Sequence, residues 1–202
     1  FLTTFETTHR RVWRSRVDFN VFSLLGVRTD EVRHSGVLAW LLDAESGHGQ
    51  GALFMRALSQ ECGLDLPAVA LKCYSVRTEY VGEESIIDIM VVCRGEFLIY
   101  LENKVYAPEG TDQVNRELRD MRRAGTAMGI PKERQFAIFL TPDGRLPISG
   151  DASPWRTLSY PDVAARFTDA LPAITSDEVK LILQHWIDTI SNFGGATYDT
   201  VF

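Results

Sequence analysis

The chain has 202 residues, enough for one well-buried domain, and its 45% hydrophobic and 24% charged content is that of a globular protein, not a disordered or fibrous one. Its net charge of −6 excludes a uniformly basic surface of the kind that grips nucleic acid tightly without sequence preference. Three scattered cysteines, Cys62, Cys73 and Cys93, lack metal-ligand spacing, which argues against a zinc or iron–sulfur site and against a disulfide framework.

In chain order, a helix is expected around Thr4–Arg16, inside an N-terminal extension of residues 1–19. The chain opens on Phe1 rather than methionine, so its ends are expected to be trimmed. Thr29 or Asp30 can cap a helix running to about Asp43, on which Glu31, His34, Leu38 and Leu41 follow helical spacing. A Gly-rich connection at Gly47–Gly51 leads to a helix over about Ala52–Cys62. Three strands follow, over roughly 73–80, 85–93 and 97–104, then an arginine-bearing helix over about 112–124 with a core stripe of Val114, Leu118, Met121 and Gly125. Gln135–Leu140 reads as a central strand ended by the turn Pro142-Asp-Gly144. Arg156–Ser159 reads as an edge strand before a helix near Pro161–Leu171. Thr175 and Glu178 form a capping box for a last helix whose Val179, Ile182, Leu183, Trp186, Ile187 and Ile190 keep helical spacing up to a stop at Gly194-Gly195. The scattered cysteines fit a reducing cytoplasm, no run is long enough to span a membrane and no signal peptide is visible; the element order reads as a single domain over 1–202.

Chemistry concentrates in the second and third strands. Arg94-Gly95-Glu96 separates Ser85–Cys93 from Phe97–Lys104 and reads as a three-residue hairpin loop. Positions summing to 190 then lie opposite each other, and Asp88 faces Glu102. A two-residue loop would shift the register and move Asp88 to the other face. Glu102 and Lys104 share one face because strand side chains alternate. On these residues alone two readings stand open: a cross-strand salt bridge on a solvated sheet face, or a site for a hard divalent cation.

This arrangement of acid, hairpin and acid-x-Lys resembles the PD-(D/E)XK nuclease superfamily, although Ile87 stands where that pattern has proline. Glu31–Asp43 followed by His48-Gly-Gln-Gly51 looks like the opening of one bacterial branch, as do Phe139–Gly144, Trp155 and Leu158–Asp162 downstream. The resemblance covers roughly Asn20 to Phe193. It implies an α/β, restriction-endonuclease-like αβββαβ core, a mixed central sheet flanked by helices. It also implies a Mg²⁺- or Mn²⁺-dependent nuclease, DNA favoured, in a bacterial, archaeal or phage setting such as restriction or antiviral defence. Asp88 and Glu102 would be the cation's carboxylates, the Asn103 carbonyl a third ligand, and Lys104 would orient the attacking water. The resemblance places an accessory acid at Glu31, whose plain alternative is complementing a helix dipole. It puts Glu79 close to the metal or its water, with a solvated strand residue as the alternative. Gln113 would position substrate or Lys104; relatives carry a tyrosine four residues on, where this chain has Glu117. His34 is a candidate substrate contact or a hydrogen-bonded packing residue. Arg116 and Arg119 are candidate phosphate contacts, or an ordinary solvated face with Glu117 and Asp120 interspersed. Given the acidic balance, positive surface must be local or come from a partner protein, a second subunit or a further domain. The competing class is a non-catalytic interaction module on a nuclease-like scaffold. A hydrolase of small nucleotides is disfavoured, because the chain has no Gly-rich phosphate loop.

Overall fold

The computed structural model describes residues 19–193; the expected helix at Thr4–Arg16 and the Gly194-Gly195 stop lie outside them. Helices α1 (Val21–Leu24), α2 (Glu31–Leu42) and α3 (Leu53–Glu61) precede strands β1 (Ser75–Val81), β2 (Ile86–Cys93) and β3 (Phe97–Asn103). Then come α4 (Gln113–Ala127), β4 (Gln135–Thr141), β5 (Trp155–Ser159), α5 (Tyr160–Ala170) and α6 (Asp177–Ile190). The five strands form one sheet in sequence order, with β5 at an edge as expected. β1–β2 and β2–β3 are antiparallel, while β3–β4 and β4–β5 are parallel. From α3 to β4 this is the restriction-endonuclease-like αβββαβ order, a mixed sheet flanked by helices.

The sheet separates two apolar clusters. Ile89, Val91, Ile99 and Leu101 pack with residues of α2, α3, α5 and α6, among them Leu38, Phe54, Phe167 and Trp186. Met90, Leu98 and Tyr100 pack on the other face beneath Val114, Leu118 and Met121 of α4. β3 is buried along its whole length, so its strand order and the end of its ladder position whatever lies beyond Asn103.

The hairpin loop is Arg94-Gly95-Glu96, with Gly95 at φ +75 and Glu96 N–H donating to the Cys93 carbonyl at 3.0 Å. A positive φ at the loop glycine is what a three-residue hairpin requires. The register follows: Met90 pairs with Tyr100 and Val92 with Leu98.

Two helix readings change. The last helix is capped by Ser176, not Thr175: Ser176 Oγ accepts from Val179 N–H and donates to Glu178, while Thr175 N–H is spent on Gln50 Oε1 at 3.1 Å. On α4, Glu117 and Asp120 are buried instead of interspersed on a solvated face. Asp120 receives the Glu83 and Glu84 N–H groups and the Ser85 hydroxyl, at 3.2, 3.0 and 2.7 Å. It therefore pins the β1–β2 turn onto the helix. Burial opposes its charge, yet these donors hold its pKa below the ordinary value.

That geometry sets a stability test. Asp120→Ala strands three donors and should cost about 2–3 kcal/mol in urea unfolding. Because the native carboxylate is the stronger acid, its contribution is lost as pH falls through its native pKa, so the difference from the parent should shrink in acid.

Candidate active site

The site grows from a defect in the sheet. The β1–β2 pairing runs through Thr78–Ile89 and Tyr80–Ile87 but omits Glu79 and Asp88. Glu79 has φ +48, a left-handed conformation that is costly for a residue with a side chain. Alternation breaks with it: Ile87 packs with Met90 in the α4-side cluster, whereas Ile89 lies in the other. Asp88 is thereby released from the ladder and lines a cavity against α2. Its Oδ2 accepts the Asn103 N–H at 2.7 Å, so a carboxylate does the work of a strand neighbour. The hairpin register expected from the sequence holds, but the facing of Asp88 differs from simple alternation because β1 is kinked opposite it.

Glu102 keeps its alternation and points toward α4. Lys104 Nζ lies 2.7 Å from Glu102 Oε1 and 3.5 Å from Glu31 Oε1, joining the two sides at the end of β3. Glu31 Oε2 accepts the Val105 N–H at 2.8 Å. The Asn103 side chain is fully engaged: its amide donates to the Glu31 carbonyl and Ser35 Oγ, and its oxygen accepts from Tyr160. α2 and α5 are thus tied to the tip of β3. Gln113 Nε2 donates to Glu102 Oε1 and to Glu117 Oε1, the latter at 2.8 Å.

Burial governs the charges here. It lifts the Asp88 carboxyl to about 6 against the opposing pull of Asn103 N–H and Lys104, with Glu31 and Glu79 adding repulsion. It holds Glu102 well above the ordinary range, assisted by Asp88 and Glu117. It lifts Glu117 to about 7. Lys104 loses solvation too, but the surrounding carboxylates outweigh that and raise its pKa. Lys104 therefore stays charged, a donor and an electrostatic partner and not a base.

A divalent cation suits this donor set. Glu102 Oε2 and Glu117 Oε2 are buried with no hydrogen-bond partner. Carboxylates that raise each other's pKa are what a hard cation relieves. Among the described residues no three His, Cys, Asp or Glu gather closely enough to form a cage. Mg²⁺ usually needs only one or two carboxylates, with water and substrate filling the rest.

The PD-(D/E)XK nuclease superfamily profile matches residues 19–186, most of the chain. The chain belongs to the PD-(D/E)XK nuclease superfamily. No curated protein and no solved structure matches it. Within this superfamily member, Asp88, Glu102, Asn103, Lys104, Glu31 and Gln113 come together at the end of β3. Glu79 is exposed beside Asp88 and contributes to its field. His34 does not reach the cleft. It is fully buried, with Nε2 at 2.7 Å from the Arg28 carbonyl and Nδ1 accepting from Trp186 at 3.0 Å. That pairing makes it the neutral Nε2–H tautomer, and burial lowers its pKa. Arg116 donates to the Glu84 carbonyl, and Arg119 pairs with Glu84 and Asp112. Both arginines are thus engaged along α4 rather than extended toward the acids. Glu117 is the site-adjacent residue that reading by polarity passes over. The signal was present, since Val114, Glu117, Leu118 and Met121 share one helical stripe.

No helix among the described residues is long and apolar enough to cross a membrane.

Proposed function

We propose that the protein is a Mg²⁺- or Mn²⁺-dependent deoxyribonuclease. The observation that carries this reading is the buried Glu102 carboxylate, held by Lys104 and Gln113 on one oxygen and left unpartnered on the other, beside Asp88. Asp88 and Glu102, with the Asn103 carbonyl, would hold the cation, and Glu31 and Glu79 flank them. When bound, the cation neutralises phosphate oxygens and lowers the pKa of coordinated water.

The chain's own residues do the rest. Lys104 orients the attacking water by donation and offsets charge developing on the phosphate. Glu31 fixes Lys104 from the α2 side and restrains the backbone at Val105. Gln113 fixes Glu102 from the α4 side, and Glu117 fixes Gln113. Asn103 keeps the strand tip rigid through α2 and α5. Arg116 and Arg119 lie on the helix that leaves this site and would contact phosphate by exchanging their bonds to Glu84 and Asp112 for it. A restriction or antiviral defence role, a cytoplasmic setting, and a homodimer or partner protein that adds positive surface complete the proposal.

The test is incubation of purified protein with Mg²⁺ or Mn²⁺ and defined single-stranded DNA, duplex DNA and RNA. Cation-dependent cutting, strongest on DNA, is the expected result. Intact substrates under all conditions, with and without candidate partners, would instead favour a non-catalytic module. Calorimetric titration with Mn²⁺ discriminates the two independently, since binding that disappears in Asp88→Asn belongs to the nuclease reading.

A further inference from the structure

A cavity of about 430 Å³ opens under α2 beside Asp88. Its size is within the roughly 300–1,000 Å³ of small-ligand pockets. Val32, Gly36 and Trp40 line it at successive turns of α2, and Thr78 and Glu79 line it from β1. Gly36 is the unexplained member. A glycine inside a helix costs about 1 kcal/mol relative to alanine. Packing does not require it, because a Cβ there would meet nothing within 4 Å. What the missing side chain does is leave the cavity open between Val32 and Trp40. The Trp40 ring is half-buried and braced edge-on against His48 at 5.3 Å. The left-handed backbone of Glu79 forms part of the same wall. Strain of this kind concentrates at ligand sites.

The charges decide what fits. Glu79 on the β1 wall disfavours a phosphate inside the cavity, whereas Asp88 marks the end where the cation of the proposed site would hold the scissile one. Arg33 lines it with a side chain 71% exposed, well suited to a phosphate at the rim. A flat, uncharged group with hydrogen-bond donors belongs inside. A nucleobase has that chemistry: a π face for Trp40, and amino or ring N–H groups for Glu79 and the Thr78 hydroxyl. A base can enter only if it is out of the duplex stack.

We propose that this cavity receives an unstacked nucleobase next to the scissile phosphate, which makes single-stranded or frayed DNA the substrate class. The inference rests on the nuclease reading and deepens it. The experiment is fluorescence anisotropy with end-labelled single-stranded DNA and an abasic strand of equal length, both with Ca²⁺ present. The protein should bind the base-bearing strand about tenfold or more tightly. Gly36→Leu should bind it as weakly as the parent binds the abasic strand, whereas Gly36→Ala should retain most of the preference. Melting curves establish that Gly36→Leu is folded; if it is not, Trp40→Ala should show the same loss. Equal binding of the two strands, no binding of either, or an undiminished preference in the folded Gly36→Leu protein would overturn the proposal. Base-dependent binding without cleavage under Mg²⁺ or Mn²⁺ would count against the nuclease reading alone. Cleavage without base-dependent binding would count against the cavity alone.

Discussion

Glu102→Gln and Lys104→Ala should each reduce Mn²⁺-dependent DNA cleavage by at least about 10²–10³-fold, the scale seen when one preorganised electrostatic group is removed, yet they should move stability in opposite directions. Glutamine has the shape of the protonated glutamate. A carboxyl whose pKa is raised by burial favours that neutral form, so Glu102→Gln relieves a penalty that burdens the parent at neutral pH. Lys104→Ala does the reverse. It takes a cation from among Glu102, Glu31 and Asp88 and leaves their charges buried with less compensation. Removing one partner of a buried pair costs about 3–5 kcal/mol, with part of this recovered here by proton uptake on the carboxylates. Urea unfolding at neutral pH beside a fluorescent cleavage assay reads both effects. Full cleavage by Glu102→Gln would place the chemistry elsewhere. Loss of cleavage with equal destabilisation in both variants would mean that the pair is a structural ion bridge.

The site carboxylates should cost the cation-free protein stability as pH rises from about 5 to about 7, so that Glu117→Gln gains on the parent across that window, and added Mn²⁺ should restore more stability at pH 8 than at pH 6. The sign follows from proton linkage. Asp88 titrates at about 6 and Glu117 at about 7 in the folded chain, both above their unfolded values, and Glu102 is raised as well. Between the unfolded and folded values the native state holds protons that the unfolded chain has already released. The contribution of these groups therefore falls across that window, and for Asp88 and Glu117 the loss is complete above about pH 7. Each tenfold difference in proton affinity between the folded and unfolded chain is worth about 1.4 kcal/mol, so the combined effect of these coupled groups is on the order of a few kcal/mol. A cation binds the deprotonated carboxylates and competes with protons for them, which is why its benefit grows with pH. In a chain of this length each kcal/mol moves Tm by about 2–4 °C, so thermal melts with and without Mn²⁺ at the two pH values are sufficient. A Tm difference between Glu117→Gln and the parent that does not grow from pH 5 to pH 7, or a Mn²⁺ shift no larger at pH 8, would contradict the raised carboxylates. Glu117→Gln should flatten the pH dependence, because it removes the carboxyl that titrates at about 7.

The sequence by itself determined the parts of this protein that depend on local pattern. The hairpin loop and its register follow from one glycine between two apolar runs. The Glu102-x-Lys104 spacing puts two side chains at one strand end. The 3.6-residue stripes of α2 and α6 set which faces turn inward. Those features are legible because backbone geometry repeats over a few residues and needs no distant neighbour. Tertiary structure alone decided the rest. Polar side chains are assigned to solvent unless something distant buries them. Nothing near Asp120 in the chain reveals that the β1–β2 turn closes over α4. Glu117 lies on the inward stripe of α4, but only Gln113 and the end of β3 beside it make it part of the site. His34 lay on an inward stripe, but only the arrival of Trp186 from α6 makes it a packing residue. The kink at Glu79 turns Asp88 toward α2 and opens the cavity there. It arises where two strands fail to pair, a relation between segments that no single segment encodes.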